Sequence, residues 1–472
     1  MRISHFRPLS LSLVLVLALF SLAAGAETRS LLVLHTNDVH DHVAPGYNGR
    51  GGLCHAAGLV AAERAKRDDI LLLDGGDLME KGDMAAHRTK SRLTYELAAR
   101  MRYDMVVPGN HDFTYGEAYL KECHALLEGA VSVCCNAFDK AGGTVFAPSA
   151  VKTVNGIRIG VIGAITDTND ADTRSLKQTA ALVAAEAKRL APETDLLIVL
   201  AHLGKKSCLT LAEAAPEVNL FVGGHTHELL REPVLAPSGA VVVQAGGNAA
   251  FLGRVELAVD TASGAVSMVR GEAVQVLHDT APCDPELLAL VRAREAEVAP
   301  EARRPLGENP APLAGREMAA VAARGLCRRA GADVGCCHAK QILRNTLPAG
   351  PVDVNAVFLT GGQRGEKIVR TTLTGADLRR YRELLLAQKR GLTEFSGPEG
   401  PLNPEDLPQD KELTVVMPER EWQSLFARML KDTAAARPPQ PCDFTFTDAV
   451  SGLVEDILNG RAKLVRRNAA AE

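Results

Sequence analysis

Carboxylate, imidazole and amide side chains recur after apolar runs in this sequence. The runs 31–34, 70–74, 105–108, 196–200 and 218–222 are followed by Asp38 and His40, by Asp77, by Asn110 and His111, by His202, and by His225 and His227. Short apolar runs of this kind are typical of buried strands. Because parallel strands open their carboxyl ends into one crevice, we expect these side chains to lie close together.

A metal centre is the chemistry that these residue types favour. The candidate ligands are Asp38, His40, Asp77, Asn110, His202, His225 and His227. Mixed nitrogen and oxygen ligands suit Mn, Zn, Fe or Co rather than Ca or Mg, and seven ligands are enough for two ions. Asp77 is the natural bridge between ions roughly 3.5 to 4 Å apart. A single histidine after a strand more often has only a hydrogen-bonding role, but five such strand ends together indicate a site.

The elements that carry these residues alternate between strands and helices. Helical patterns at 52–66, 91–101, 118–127 and 175–190 separate the apolar runs, and residues 241–276 are patterned as strands. Alternation of this kind predicts an α/β layered domain. Further helices are predicted at 285–298, 318–330 and 375–386.

The length of 472 residues exceeds a single comfortable core, so we expect two domains. Four prolines between residues 300 and 312 indicate a connector. We therefore divide the chain into an N-terminal segment (1–26), an α/β domain (27–277), a linker with a helix (278–312) and a smaller α+β domain (313–466).

The N-terminal segment has the form of a signal peptide. Arg2 and Arg7 precede an apolar stretch at 9–22, and Ala24-Gly25-Ala26 fits a signal peptidase site. We expect an exported protein, periplasmic or extracellular, and the alternative is an uncleaved membrane anchor. No later stretch is long and apolar enough to span a bilayer.

Charge and cysteine content narrow the choice of partners. The net charge of −4 shows no basic excess, which argues against a nucleic-acid polymer as a partner. Ten cysteines are too sparse for a disulfide framework. We expect at least one member of each pair, Cys134-Cys135 and Cys336-Cys337, to be a small buried apolar residue. A monomer that binds a small-molecule substrate is the simplest expectation.

The chain resembles the calcineurin-like metallophosphoesterases, and specifically the exported 5′-nucleotidase family, in five motifs. These are His35-Thr36-Asn37-Asp38-Val39-His40, Gly76-Asp77-Leu78, Gly109-Asn110-His111-Asp112-Phe113, Ala201-His202-Leu203-Gly204 and Gly223-Gly224-His225-Thr226-His227. The resemblance covers residues 31–260 in order. It extends more loosely to the second domain, most clearly at residues 373–378.

The resemblance implies a four-layer α/β/β/α sandwich and a two-metal phosphatase. It places Asp38, His40, Asp77 and His227 on one ion, and Asp77, Asn110, His202 and His225 on the other. Asn110 and His111 would be the catalytic residues. A hydroxide between the ions would attack phosphorus in line, and His111 would stabilise the transition state or protonate the leaving oxygen.

One departure from the family lies next to His111. Members usually carry an aspartate three residues after this histidine, where this chain has Thr114. A hydroxyl adds no negative charge, so we expect a less basic His111 and slower turnover at alkaline pH.

The second domain departs further from the family. Residues 339–344 replace a glycine-rich turn and keep its arginine, Arg344, and the family's glycine-rich aromatic segment is missing. Arg344 is the candidate for binding a phosphate or carboxylate, with a surface ion pair as the alternative. Trp422 and Phe395 are the rings that could stack on a base, with core packing as the alternative. A third ring, Phe444, is a weaker candidate.

Three functions remain open on the sequence alone. The first is hydrolysis of phosphate monoesters, with 5′-nucleotides as the favoured substrates. The second keeps the metal site but acts on cyclic nucleotide diesters, sugar phosphates or sulfur esters. The third is a binding protein that has lost catalysis.

Overall fold

A computed structural model describes residues 28–168, 171–363 and 366–465, and the predicted signal peptide at 1–26 falls outside these ranges. The N-terminal part contains the following strands: β1 (Thr28–Thr36), β2 (Ile70–Asp74), β3 (Met105–Val106), β4 (Val131–Ser132), β5 (Ala137–Phe138), β6 (Ser149–Val154), β7 (Ile157–Ile165), β8 (Asp172–Thr173), β9 (Leu196–His202), β10 (Leu220–Gly223), β11 (Val234–Leu235), β12 (Val241–Val243), β13 (Phe251–Asp260) and β14 (Ala265–Gln275).

The helices of this part are α1 (Leu53–Arg64), α2 (Met84–Arg88), α3 (Arg92–Met101), α4 (Glu117–His124), α5 (Leu176–Leu190) and α6 (Lys205–Ala214), with 3₁₀ turns at Tyr47–Gly49, His111–Phe113 and Ala191–Glu193. Four of these helices, α1, α3, α4 and α5, lie close to their predicted positions, and α2 and α6 were not predicted. The apolar residues around Cys134-Cys135 do not form one continuous strand, since β4 and β5 are separate two-residue strands in different sheets.

Two six-stranded sheets organise the N-terminal part. Their strand orders are β14-β13-β1-β2-β3-β4 and β11-β12-β10-β9-β7-β6. The pairs β1/β2, β2/β3, β7/β9 and β9/β10 are parallel. The carboxyl ends of β1, β2 and β3 therefore point the same way in one sheet, and those of β9 and β10 do so in the other.

The two sheets face each other with helices outside them. Along β9, Ile198 and Leu200 belong to a core that also contains β1 and β2 residues, whereas Leu197 and Val199 pack with residues of α5 and α6. Because side chains alternate between the faces of a strand, this division shows that β9 separates two apolar layers. Residues of α1 and α3 cover the other sheet. The α/β/β/α fold class is thus confirmed.

The segment between the two parts is more ordered than its prolines predict. Helix α7 (Pro285–Val298) begins at Asp284, whose carboxylate accepts from the next two free amides, and it packs against the N-terminal helices. Arg294 of α7 donates to Glu96 of α3 at 3.2 Å. Beyond it, β15 (Pro305–Asn309) forms where composition indicates a connector.

The C-terminal part is a smaller α+β unit. Its remaining elements are β16 (Val334–His338), β17 (Gly350–Asp353), β18 (Lys367–Thr374), β19 (Thr393–Ser396), β20 (Glu412–Pro418), β21 (Gln440–Thr445), α8 (Gly315–Ala330), α9 (Val354–Val357), α10 (Gly375–Ala387), α11 (Glu419–Glu421), α12 (Ala427–Met429), α13 (Lys431–Ala436), α14 (Phe446–Leu458), π-helical turns at Phe358–Gly362 and Trp422–Phe426, and a 3₁₀ turn at Pro404–Asp406. The sheet order is β19-β16-β20-β18-β21, and β15 pairs with β17. No helix in the described ranges has both the length and the apolar character needed to cross a bilayer.

The rings proposed for base stacking lie inside this unit. Trp422 is 5% exposed, stacks on Phe426 with ring centroids 4.7 Å apart, and belongs to the same apolar cluster as Phe395, which is 1% exposed. Phe444 is 8% exposed and also packs in a core. The prediction that Trp422 and Phe395 bind substrate is wrong, because rings buried in the core have no face left for a base.

A buried carboxylate lies beside this aromatic cluster. Glu421 accepts from the amide of His338 at 2.7 Å, from the Thr393 hydroxyl at 2.7 Å and from the Tyr381 hydroxyl at 3.2 Å. Burial raises the pKa of Glu421 from its ordinary value of 4.5 to about 7, against the opposing effect of these hydrogen bonds. The folded protein therefore holds this proton more tightly than the unfolded chain does.

Replacement of Glu421 by Gln should change how stability depends on pH. In the native protein, Glu421 contributes a loss of stability as the pH rises from about 4.5 to about 7, because the folded state disfavours the ionised form. Glu421→Gln should remove this contribution. Its melting temperature relative to wild type should be higher at pH 8 than at pH 5, whereas the exposed control Glu399→Gln should show no such difference. If the melting temperatures of Glu421→Gln and wild type differed by the same amount at pH 5 and at pH 8, the raised pKa assigned to Glu421 would be contradicted.

One disulfide joins distant parts of the chain. Cys54 in α1 bonds to Cys283, 229 residues away and just before α7. The other cysteines of the described ranges are unpaired, and Cys134, Cys135, Cys336 and Cys337 are all buried, as predicted for the adjacent pairs. The bond fastens the start of α7 to the N-terminal helices.

Removal of the disulfide should destabilise the protein. The double variant Cys54→Ser/Cys283→Ser frees a long loop in the unfolded chain, for which we expect a loss of about 2–5 kcal/mol in the free energy of unfolding. Urea denaturation without reductant measures it. Cys442→Ser, at an unpaired and half-buried position, is the matched control. Equal midpoints for the double variant and wild type would contradict this expectation.

Candidate metal centre

The seven predicted ligands meet at the carboxyl ends of β1, β2, β3, β9 and β10. Four of them, Asp38, His40, Asp77 and His202, are at most 1% exposed. His227 lies at the rim, with 39% of its side chain exposed. The crevice therefore has a buried floor and an open edge that a small molecule can reach.

Backbone strain is concentrated at the ligand positions. Positive φ angles occur at Asp38, His40, Asp77, His225 and His227, five of the seven predicted ligands. Residues other than glycine rarely adopt this conformation, which costs on the order of 1–3 kcal/mol at each position. Such strain persists only where other interactions stabilise the strained conformation. Here this conformation directs the five side chains toward the same crevice.

Two glycines allow the strands to approach each other at the centre. A Cβ atom at Gly109 would lie 2.1 Å from Oδ1 of Asp77, and one at Gly76 would lie 2.8 Å from Nδ1 of His202. Gly76 also has a φ of +92°, which favours glycine. No larger residue fits at either position without moving Asp77 or His202.

Asp38, His40 and His227 form the first cluster. Nε2 of His40 lies 3.0 Å from Nε2 of His227, and Nε2 of His227 lies 3.4 Å from Oδ1 of Asp38. Oδ2 of Asp77 lies 3.5 Å from Nε2 of His40. This is the set of four ligands that the resemblance implies for one ion.

Asp77, His202, His225 and Asn110 surround the second position. Oδ2 of Asp77, the same atom that faces His40, lies 3.1 Å from Nε2 of His202. Nδ1 of His225 lies 2.9 Å from Oδ1 of Asn110, and the rings of His202 and His225 are 5.4 Å apart. Asp77 therefore stands between the two clusters. Asp38 also lies close enough to Asp77 and His202 for the three residues to hold one ion.

The hydrogen bonds of two imidazoles test whether cations fit here. Nδ1 of His202 faces the carbonyl oxygen of Gly75 at 2.8 Å, and Nδ1 of His40 faces that of Met79 at 3.0 Å. Each Nδ1 therefore carries the proton and each Nε2 of a neutral ring presents a lone pair. Both lone pairs face Asp77, and Nε2 of His202 is buried without a hydrogen bond. Lone pairs and carboxylates that converge in a buried space fit divalent cations.

Burial favours neutral rings at His40 and His227, whereas the carboxylates favour a positive charge at His202. Burial lowers the pKa of His40 well below its ordinary value and, with a smaller effect of Lys81, lowers that of His227 to about 4. Burial also lowers the pKa of His202, but Asp77 and Asp38 outweigh it and raise the value to about 10. The rings of His40 and His227 can thus act as ligands. The raised pKa of His202 shows that the carboxylates strongly stabilise a positive charge at this position.

Two further buried carboxylates, which sequence reasoning missed, hold the loop that carries Asp77. Asp112 accepts from the amides of Gly109 at 2.6 Å, Asp77 at 2.9 Å and Met79 at 2.9 Å. Asp41 accepts from the amide of Glu80 at 2.8 Å. Asp112 stands inside one of the recognisable motifs and Asp41 directly follows another, but their role depends on where the loop 77–80 runs, which no local pattern indicates.

His111 has an acidic partner that the sequence did not reveal. Nδ1 of His111 contacts the Glu80 carboxylate in an ion pair, and its amide donates to Oδ1 of Asp77 at 2.8 Å. Burial raises the pKa of Glu80, but the contact with His111 outweighs this and lowers it overall. We expected a less basic His111 because Thr114 stands where the family has an aspartate. That expectation assumed that no other carboxylate contacts the ring, and the contact with Glu80 shows that this assumption is wrong.

The second part of the chain contributes one predicted residue to the rim. Arg344 is close enough to Glu80 to affect it: burial lowers the pKa of Arg344, while the charge of Glu80 raises it. The two parts are joined nearby, where Asn355 accepts from the amide of Met84 at 2.8 Å and donates to Asp83 at 2.8 Å. Arg344 is exposed beside the site rather than paired on a distant surface.

Comparison with known proteins agrees with this geometry. Residues 31–229 match the family model described as calcineurin-like phosphoesterase. This chain contains a calcineurin-like phosphoesterase domain. The family assignment and the classification as a phosphoesterase hydrolase, both expected from the five motifs, are confirmed.

Among the relatives of this phosphoesterase is a 2′,3′-cyclic-nucleotide 2′-phosphodiesterase/3′-nucleotidase of Haemophilus influenzae, 24% identical over 64% of the chain and 55% of the relative. A 5′-nucleotidase of Vibrio cholerae is 28% identical over 43% of the chain and 41% of the relative. The chain thus spans about half the length of these curated relatives. The crystal structure of a 5′-nucleotidase precursor from Thermus thermophilus shares the fold, with a TM-score of 0.69, 22% identity, and coverage of 91% of this chain and 97% of that one.

Loss of the Asp77 charge should empty the metal centre. Asp77→Asn keeps the size of the side chain but removes the negative charge shared by the two clusters. We expect the content of Mn or Zn per chain to fall by about one ion or more, and turnover of p-nitrophenyl phosphate to fall at least about 100-fold. Elemental analysis after dialysis against the metal measures the first. The exposed control Asp410→Asn should match wild type. A wild-type protein that retains no transition metal would contradict the assignment of the site.

Proposed function

We propose that this chain is an exported phosphoesterase that hydrolyses phosphate monoesters, 5′-nucleotides among them, with two divalent transition-metal ions (Mn, Zn, Fe or Co). The observation that carries the proposal is the position of Asp77, one oxygen of which lies 3.5 Å from His40 and 3.1 Å from His202. A carboxylate between two imidazole lone pairs suits a pair of ions that share a ligand.

Each group of the chain has a separate task in this proposal. His40, His227 and Asp38 would hold one ion with Asp77, and His202, His225 and Asn110 would hold the other. When bound, such ions acidify water and neutralise the charge on phosphoryl oxygens. His111, which is 26% exposed at the rim, would donate a hydrogen bond or a proton to the leaving oxygen, and Asn110 beside it would contact the phosphoryl group.

The substrate would bind between this crevice and the second part of the chain. Arg344 supplies a positive charge at the rim, close enough to Glu80, the partner of His111, to affect its charge. A guanidinium there would bind a phosphate or carboxylate group of the substrate. With Trp422 and Phe395 buried, the proposed site has no stacking pair from these residues, so we expect the ester group to be recognised more strongly than the base.

The other functions compatible with the sequence have less support. Cyclic diesters, sugar phosphates and sulfur esters would use the same metal ligands, so they differ from the proposal in substrate rather than in site. A binding protein without catalysis has no need for strained ligand positions, and five such positions argue against it. Export is proposed from the N-terminal segment and from the disulfide between Cys54 and Cys283, a bond typical of oxidising compartments.

A substrate panel tests the proposal and its specificity. With Mn supplied, kcat/KM should be measured for AMP, UMP, ribose 5-phosphate, 2′,3′-cyclic AMP and a sulfur ester. Stacking on an aromatic ring contributes about 1–3 kcal/mol per base. Without it, AMP, UMP and ribose 5-phosphate should lie within about tenfold of one another and above the other two substrates. A preference of more than about 100-fold for AMP over ribose 5-phosphate would reveal base recognition, and no hydrolysis of any phosphate ester would reject the proposed function.

A further inference from the structure

Glu80 is the group of this site to which no motif assigns a role. Its carboxylate contacts Nδ1 of His111, so Nε2 is the ring nitrogen that remains to contact a substrate. Both side chains are about a quarter exposed, 27% for Glu80 and 26% for His111. The contact joins the loop after β2 to the turn after β3, which are 31 residues apart in sequence.

The backbone holds Glu80 in this position. Its φ of +70° is in the left-handed region, which a glutamate does not adopt without support. The support comes from its amide, which donates to Oδ2 of Asp41 at 2.8 Å and lies 3.2 Å from the Ser91 hydroxyl. Asp41 is itself fully buried and accepts from Ser91 at 2.7 Å. A surface glutamate that only neutralised a nearby charge would not need these hydrogen bonds to hold its backbone.

We propose that Glu80 is a positioning residue that accepts a hydrogen bond from Nδ1–H of His111 and so orients the ring, with Nε2, which carries the proton to be donated to the leaving oxygen, presented to the substrate. The inference rests on the proposed function of His111 and adds a residue to it. A carboxylate on one ring nitrogen sets the tautomer and the orientation of an imidazole. The acid is thus supplied by a loop 31 residues upstream instead of by position 114.

Position 114 offers a way to separate orientation from other roles of Glu80. Residues His111–Phe113 form a 3₁₀ turn, and Thr114 continues it with φ −53° and ψ −35°. Side chains three residues apart in a 3₁₀ turn lie one above the other. A carboxylate introduced by Thr114→Asp can therefore approach the His111 ring from its own turn. It would restore an acid to His111 without restoring the side chain of Glu80 near Lys81 and Arg344.

The experiment compares four variants of the metal-loaded protein with wild type. Glu80→Ala should lower kcat by roughly 10- to 100-fold and change KM by less than about threefold, as expected for loss of an aligned proton donor. Glu80→Gln, which keeps an acceptor, should lose less. The double variant Glu80→Ala/Thr114→Asp should recover at least about fivefold of the lost kcat. Glu128→Ala, an exposed glutamate, is the matched control and should behave as wild type.

A second measurement does not depend on turnover. In the zinc-loaded protein, the Nδ1 proton of His111 shared with a carboxylate should give a low-field proton resonance that is absent from Glu80→Ala and from His111→Asn. An inactive wild-type protein that shows this resonance would contradict the proposed function and still support the contact. A resonance that survives Glu80→Ala, a loss confined to KM, or equal kcat for Glu80→Ala and the double variant would each overturn the role of Glu80.

Discussion

The arrangement of this protein depends on carboxylates and imidazoles that are held close together in one buried crevice. Asp38 and Asp77 are almost completely shielded from water, and the rings of His40 and His202 are fixed with their Nε2 atoms toward the same space. Burying such groups without a counter-charge costs many kcal/mol. Bound cations would turn this unfavourable arrangement into a favourable one, and the surrounding fold serves to hold the groups in place until that happens.

The fold holds them through hydrogen bonds to backbone amides. Asp112 binds three amides of two loops, and Asp41 binds the amide of a residue with left-handed backbone geometry. Carboxylates of this kind offset the conformational cost of the strained residues beside them. The parallel strands bring the loops to one edge, and these internal acids fix the path of the loop that carries Asp77.

The convergence of the candidate metal ligands could be predicted from the sequence because each follows an apolar run in a regular way. The α/β/β/α layers follow from the same alternation of strands and helices. Glu80 could not be identified, since its role depends on the path of a loop and on a contact between segments 31 residues apart. Trp422 and Phe395 were misassigned for a related reason: the sequence around an aromatic residue does not show whether its ring faces a substrate or the core. Proline content likewise concealed the strand at Pro305–Asn309, which pairs at the edge of a small sheet.

The bond between Cys54 and Cys283 has a consequence for how the chain is made. Cys54 emerges from the ribosome long before its partner, and Cys123, Cys134, Cys135 and Cys208 all appear in the interval. Each is a competing thiol until the sheets close around it. Correct maturation therefore requires burial of these four to precede oxidation, or an isomerase to repair premature pairings. In an oxidising compartment, this protein therefore needs either rapid burial of these thiols or a disulfide isomerase.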